Sequence, residues 1–447
     1  MADATSSRPV VDQVWQAMTG APAADLELTG SATLAGAFRV ADAATAAVGA
    51  ALLAAAHRLG ARRVSLDLAA AAGAFLADRR LLVDGRALPI WDPVAGDYHA
   101  RQGWVRLHTN YAWHRRAALA ALGLPGDADR AAVAAAVAAR DGLDVEDAVH
   151  VAGGAAAALR SRAEWAAHPQ WAAVARRPLV SLESAESVAS GRPSGADADG
   201  FRVLDLTRVI AGPTATKVLA AFGADVLRLD PPGFVELPPL VAETTAGKRC
   251  ASLDVGVQGE RFAELVAAAD VVVCGLRPGA LSRSGWPPPR LAEVNPGLVV
   301  AELSAYGDTG PWAGRRGFDS LVQTVDGIAH EGMQRSRADH PVPLPAQALD
   351  HASGWLLAAG VLHALALRRE DGRGRRVGVV LARTGQWLDD LGRQAEPAAG
   401  GGLPGEVEVV ASALGAVTRV VFPGELDGKA VSWAGSPSPL GSAEPRF

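Results

Sequence analysis

Beyond Gly200 the apolar positions fall into short unbroken runs set between helical stretches of about ten residues. Arg202 to Leu206 reads as a strand, and Ala211-Gly212-Pro213 is a turn that places Pro at the start of a helix over Thr214 to Phe222. Gly223 caps that helix and Ala224 to Leu229 is the next strand. Further strands follow at Asp270 to Cys274 and Leu298 to Leu303, with a helix at Gly259 to Ala268. Strands spaced by helices of this length predict βαβ units and a parallel sheet, with ligands at the carboxyl ends of the strands. Those ends are Thr207 to Gly212, Gly275 to Gly279 and Ser304 to Gly307.

An apolar run, Trp355 to Leu367, is preceded by Leu349-Asp350-His351-Ala352-Ser353-Gly354 and stopped by Arg368-Arg369-Glu370-Asp371-Gly372. Asp350 there has the pattern of a helix N-cap. It also has the chemistry of a nucleophile, because an ionised carboxylate at a helix start can attack a thioester, and Gly354 would let a substrate approach the backbone. The residues leave both roles open.

The half before Gly200 is richer in Ala and in helix. It echoes the Asp350 region: Val40-Ala41-Asp42 leads into an Ala/Leu helix and then a strand at Arg62 to Asp67, which suggests a degenerate duplication. A hairpin-like pair at Asp97-Tyr98 and Gly103 to Leu107 follows, then helices at Arg130 to Ala139 and Val145 to Leu159. Polar and Gly/Pro-rich stretches at 189–200 and 396–405 read as linkers. The divisions expected are therefore 1–90, a remnant first copy carrying the Asp42 helix and strand; 91–188, a small domain; 201–395, the nucleotide-type domain; and 406–447, a segment returning to the large domain.

Composition narrows the class of function. Of the 447 residues 49% are hydrophobic but only 5% aromatic, so the core is built mostly from Ala, Val and Leu. The charges, 43 Lys and Arg against 48 Asp and Glu, leave no basic footprint for nucleic acid. Cys250 and Cys274 offer neither metal spacing nor a disulfide framework. No G-x-S-x-G of a serine hydrolase occurs. The Ala-rich runs look too interrupted to span a membrane and the first residues lack a leader's apolar core, so a cytoplasmic protein is expected.

Taken in order, several strings resemble the family III CoA-transferases, the CaiB/BaiF family. They are Arg202 to Pro213, Phe222 to Asp230, Gly247-Lys-Arg249 with Ser252-Leu-Asp254, Arg277-Pro-Gly-Ala-Leu281, and Asn295-Pro-Gly-Leu-Val299. Tyr306-Gly-Asp-Thr-Gly-Pro311 with Gly317-Phe-Asp319, Asp350 with Gly354, and Gly372-Arg-Gly374 complete the set. Tyr98 to Trp104 resembles a motif of the family's small domain, so the chain is identified as a rearranged or degenerate-duplicated member.

The resemblance implies an α/β fold, a Rossmann-like parallel-sheet domain with a second, smaller α+β domain. It also implies acyl-CoA:carboxylate CoA-transfer through a mixed anhydride and a thioester on Asp350. Coenzyme A would lie along Val209, Ile210, Leu253, Leu276 and Arg283, with Tyr306 near the reacting end. CoA and acyl-CoA would be substrates, and no permanently bound cofactor is implied. The other partner would be a carboxylic acid, with neither nucleic acid nor membrane, and assembly would be a homodimer or an intrachain pseudo-dimer of the two halves. The chain departs from the family pattern at Gly275-Leu276, Ser304 and Asp230-Pro-Pro232. Those departures favour, as alternative, a non-catalytic CoA- or acyl-CoA-binding protein. An acyl-CoA racemase stands further back, because Phe318 occupies the position of that enzyme's histidine base.

Overall fold

A computed structural model describes residues 1–188, 200–398 and 403–447. The apolar runs of the C-terminal half form one seven-stranded sheet. Its strands are β1 (Ser181–Val188), β2 (Phe201–Leu206), β3 (Ala224–Asp230), β4 (Lys248–Ser252), β5 (Val271–Cys274), β6 (Val299–Ser304) and β7 (Arg373–Val380). They lie in the order β1-β7-β6-β5-β2-β3-β4, with β2 to β7 parallel and β1 antiparallel on the edge.

Successive side chains of a strand point to opposite faces, and both faces here are apolar. Val203, Val226, Val271, Val273 and Val299 face one core, while Leu204, Leu227, Val272 and Val300 face the other. The chain winds outward from β2 to β4, then restarts at β5 and winds the other way. The strand order therefore reverses between β2 and β5, and a crevice opens where their carboxyl ends part.

Helices α1 (Ala4–Thr19), α2 (Val40–Leu59), α3 (Ala211–Ala221), α4 (Asp319–Val325), α5 (Ala348–Asp371) and α6 (Leu381–Asp390) complete the frame around the site. Helices α2 and α5 are apolar nearly all round and buried, and they pack against each other. Thus the two Asp-bearing helices of the sequence echo lie side by side. By length and composition α2 could cross a membrane, contrary to the expectation from its sequence, but 94% of its apolar window is buried within the protein.

Residues 96–158 build a small antiparallel sheet (Gly96–His99, Trp104–Leu107, Ala156–Ala158) with its own core around Tyr98, Val105, Val133 and Val149. The helix expected over Val145 to Leu159 runs only over Gly142–Val151. Gly153, at φ +86°, breaks it, and the following alanines pair as a strand with Trp104–Leu107. Of the two expected linkers, residues 189–199 and 399–402 lie outside the described residues. The second begins later than expected, because Arg393–Ala398 is a strand paired with Gly36–Phe38. The last segment pairs with the N-terminal half, Gly415–Val420 with Leu82–Val83 and Glu425–Leu426 with Val64–Ser65, and touches the large domain through an Ala251–Ala443 bridge.

Candidate active site

At the crevice the chain turns sharply after β2. Val209 sits at φ +69°, a conformation costly for a β-branched side chain. Its N–H donates to Glu236 Oε2 at 3.1 Å, and Glu236 Oε1 accepts from the Tyr111 hydroxyl at 2.6 Å. Burial, reinforced by the Glu236 charge, pushes the Tyr111 phenol far above its ordinary range and keeps it a donor. A residue of the N-terminal half thereby holds the strained turn of the C-terminal sheet.

Two cavities meet at Asp350. The first, about 400 Å³, is lined by Val209, Leu276, Arg277, Arg316 and Asp350, with Trp113 and His114 from the N-terminal half. The second, about 270 Å³, is lined by Ile210, Leu240, His108, Phe318 and Asp350. A separate 520 Å³ cleft shares the Leu276–Gly279 turn, but Asp350 does not line it. Arg277 and Arg316 have no carboxylate partner among the described residues. Burial and the neighbouring Arg277 charge push the Arg316 guanidinium down, so an anion in this cavity would relieve both groups.

Asp350 lies in the first turn of α5, two residues inside the helix rather than at its cap. It is 6% exposed, and no donor among the described residues reaches its carboxyl oxygens. Its own N–H donates to Asp319 Oδ2 at 2.9 Å, and Gln323 donates to Oδ1 of the same carboxyl. Asp319 is therefore solvated by the protein and Asp350 is not. Burial, with Asp319 and then Asp78 adding like charge, holds the Asp350 carboxyl well above the ordinary carboxylate range. Asp319 is pushed up to about 6 by burial, against the pull of those hydrogen bonds. Of the two carboxyls, Asp319 holds the donors and is the better placed to carry the charge, and Asp350 the proton.

Gly354 serves packing rather than substrate approach. A Cβ there would stand 2.5 Å from the Ala211 carbonyl oxygen, so it lets α5 and α3 touch. Val209 and Leu276 line the first cavity and Ile210 the second. Leu253, Arg283 and Tyr306 line neither. Leu253 is buried in the core with Phe262 and Trp286, and Arg283 is exposed. The Tyr306 ring is enclosed by Trp165 and Trp312, and its carbonyl accepts from Gln170. Sequence reasoning missed Tyr111, Trp113, His114 and His108 at this site, since nothing local ties them to a residue two hundred positions on. His108 stacks on Phe318 at 3.6 Å between centroids, within 1° of parallel.

Asp42, the counterpart of Asp350 in the echo, is engaged on both oxygens. Oδ1 accepts from Ser7 Oγ at 2.8 Å and Oδ2 pairs with Arg39 Nε at 2.9 Å. Asp42→Ala is expected to cost about 2 kcal/mol of stability, read in urea melts, with exchange activity per folded molecule unchanged.

Residues 198–408 match CoA-transferase family III. This stretch is similar to that family. Over 189 residues the chain is 36% identical to a Mycobacterium tuberculosis protein named "Probable fatty acyl-CoA transferase Rv3272", covering 39% of this chain and 48% of that one. It is 34% identical over 193 residues to a formyl-CoA:oxalate CoA-transferase of Rhodopseudomonas palustris, covering 40% and 45%. With the acetyl-coenzyme A transferase nodX of Hypoxylon pulicicidum it shares 30% identity over 230 residues, covering 50% and 36%. The crystal structure of Rv3272 aligns over 43% of this chain and 56% of its own at 34% identity, with a TM-score of 0.38. The chain thus spans half or less of the length of the curated relatives it matches. All of the family III match falls after residue 197, while one wall of both cavities comes from residues 78–114, before it.

Proposed function

We propose that the protein transfers coenzyme A between an acyl-CoA and a carboxylic acid, with Asp350 as the acyl carrier. The observation that carries this reading is the Asp350 carboxyl itself: buried, free of donors among the described residues, and set where an arginine-bearing cavity meets a partly apolar one. The arginines of the first cavity suit the phosphates of CoA. An Asp350 oxygen attacks the acyl-CoA carbonyl, the C–S bond breaks, and an aspartyl–acyl mixed anhydride forms as CoA thiolate leaves. The thiolate then attacks the aspartyl carbonyl, giving an aspartyl-CoA thioester and releasing the first acid. The incoming carboxylate attacks that thioester, displacing thiolate and forming a second anhydride. Thiolate attack on its acyl carbonyl yields the new acyl-CoA and regenerates Asp350.

The test is covalent capture. After incubation with a suitable acyl-CoA, borohydride or hydroxylamine should mark a peptide containing Asp350, and Asp350→Ala should abolish both the mark and CoA exchange. An unmarked peptide with tight CoA binding would favour the non-catalytic alternative.

A pH dependence follows from the carboxyl pair. The nucleophile must be ionised, and Asp350 is held above the ordinary range, about 4 for a free aspartate. The kcat/KM for acyl-CoA should therefore rise with pH through an apparent pKa above that value and be low at pH 5. A profile flat from pH 5 to pH 8 would contradict this assignment of the proton.

A further inference from the structure

The two cavities at Asp350 differ in chemistry, and the second has no use in binding phosphates. One side of its wall is apolar: Leu88, Ile90 and Trp91 come from an irregular stretch of the N-terminal half, and Ile210, Leu237 and Leu240 from the C-terminal half. Leu88 and Ile90 are half-buried and Trp91 is 42% exposed, so this stretch leaves apolar surface open beside a buried carboxyl. An apolar ligand would cover that surface at a gain.

The same cavity is hostile to a second negative charge. Asp78 and Asp319 line it together with Asp350, and the one Arg or Lys in its lining, Arg79, is exposed. Its histidine adds no cation, because burial pushes His108 down to about 3, and no protein hydrogen bond reaches either of its ring nitrogens. A dicarboxylate placed here would meet carboxyls instead of guanidiniums.

We propose that the 270 Å³ cavity is the acyl chamber, and that it selects compact apolar monocarboxylic acyl groups and rejects oxalate-like dianions. The assignment rests on the transferase reading of Asp350. It differs from what the names of the formyl-CoA:oxalate and acetyl-CoA:oxalate relatives indicate for those proteins. The selecting wall is built in part from residues 88–91, outside the stretch shared with them.

The experiment compares acetyl-, hexanoyl- and oxalyl-CoA as donors, and acetate, hexanoate and oxalate as acceptors, in the full-length protein and in Leu88→Arg. Each added methylene buried should raise kcat/KM about fourfold, so hexanoyl-CoA, four methylenes longer, should exceed acetyl-CoA by roughly 200-fold, and oxalyl-CoA should be the poorest donor. Leu88→Arg, on a half-exposed stretch that tolerates a charge, should cut the hexanoyl-to-oxalyl ratio at least tenfold, mainly through KM. Oxalate or oxalyl-CoA used as well as the apolar substrates, with Asp350 still labelled, would overturn the chamber and leave the transferase standing. Conversely, hexanoyl-CoA that binds more tightly than oxalyl-CoA by calorimetry, and loses that preference in Leu88→Arg, supports the chamber even if Asp350 is never labelled; the transferase reading would then fall alone.

Discussion

Replacing Asp350 by Asn should lower CoA exchange by at least about 10³-fold while making the protein more stable at pH 8. The loss of activity follows from chemistry: an amide cannot hold the acyl group between half-reactions. The gain in stability follows from the environment of the carboxyl. In the unfolded chain an aspartate releases its proton near pH 4, whereas in the fold burial and the like charges of Asp319 and Asp78 keep Asp350 protonated to higher pH. Between those two values the folded state binds more protons, so stability falls as pH rises. Asn carries no such penalty. We expect its melting temperature to exceed the wild type by about 2 °C or more at pH 8, with the difference vanishing near pH 4. Calorimetric scans at pH 4 and pH 8 measure this directly. A variant less stable than wild type at pH 8 would show that Asp350 is an ordinary structural carboxylate, and retained exchange would dismiss it as the carrier.

Asp350 and Asp42 hold matching places in the sequence echo but lie in different surroundings, the first without a side-chain donor among the described residues and the second engaged on both oxygens. Both begin long apolar helices, and the sequence separates them only through Gly354 and the strings around it. Gly354 marks the right helix for a reason other than substrate access, the close approach of α5 to Ala211 on α3. The parallel sheet was legible because each βαβ unit is local: Arg202 to Leu229 carries strand, turn, helix and strand in one unbroken stretch. Its strand order, and hence the crevice after Leu206 and Cys274, depends on which edge each later strand joins, and no local pattern encodes that. The site is harder still to read, because part of its wall comes from the N-terminal half. The His108–Phe318 stack and the Tyr111–Glu236 hydrogen bond join residues more than a hundred positions apart. Tyr306, which the resemblance places near the reacting end, has a ring that fills a pocket between tryptophans.

Asp205→Ala should be the most destabilising single change near the site, costing roughly 3–5 kcal/mol. Asp205 and Lys248 are both fully buried, and their 3.0 Å pair sits beneath the turn that carries Val209 and Ile210. Lys248 Nζ also donates to the Pro213 carbonyl and to Thr216 Oγ1, while the other carboxyl oxygen of Asp205 takes the N–H and hydroxyl of Thr207. One buried charge pair thus ties β2, β4 and the first turn of α3 together. Burial alone would push the Asp205 carboxyl up, but Lys248 and Arg228 outweigh it and hold it below the usual range. Removing the carboxylate strands the ammonium in the core and frees Thr207, so the turn loses its anchor. In whatever fraction stays folded, KM for acyl-CoA should rise because Val209 and Ile210 are no longer fixed. The double variant Asp205→Ala/Lys248→Met deletes both charges and should recover at least about 2 kcal/mol of the loss. Urea melts of the two single variants and the double decide the matter. A cost below about 1 kcal/mol for Asp205→Ala, or no recovery in the double, would mean that the pair is dispensable and that the turn is held by Glu236 and Tyr111 alone.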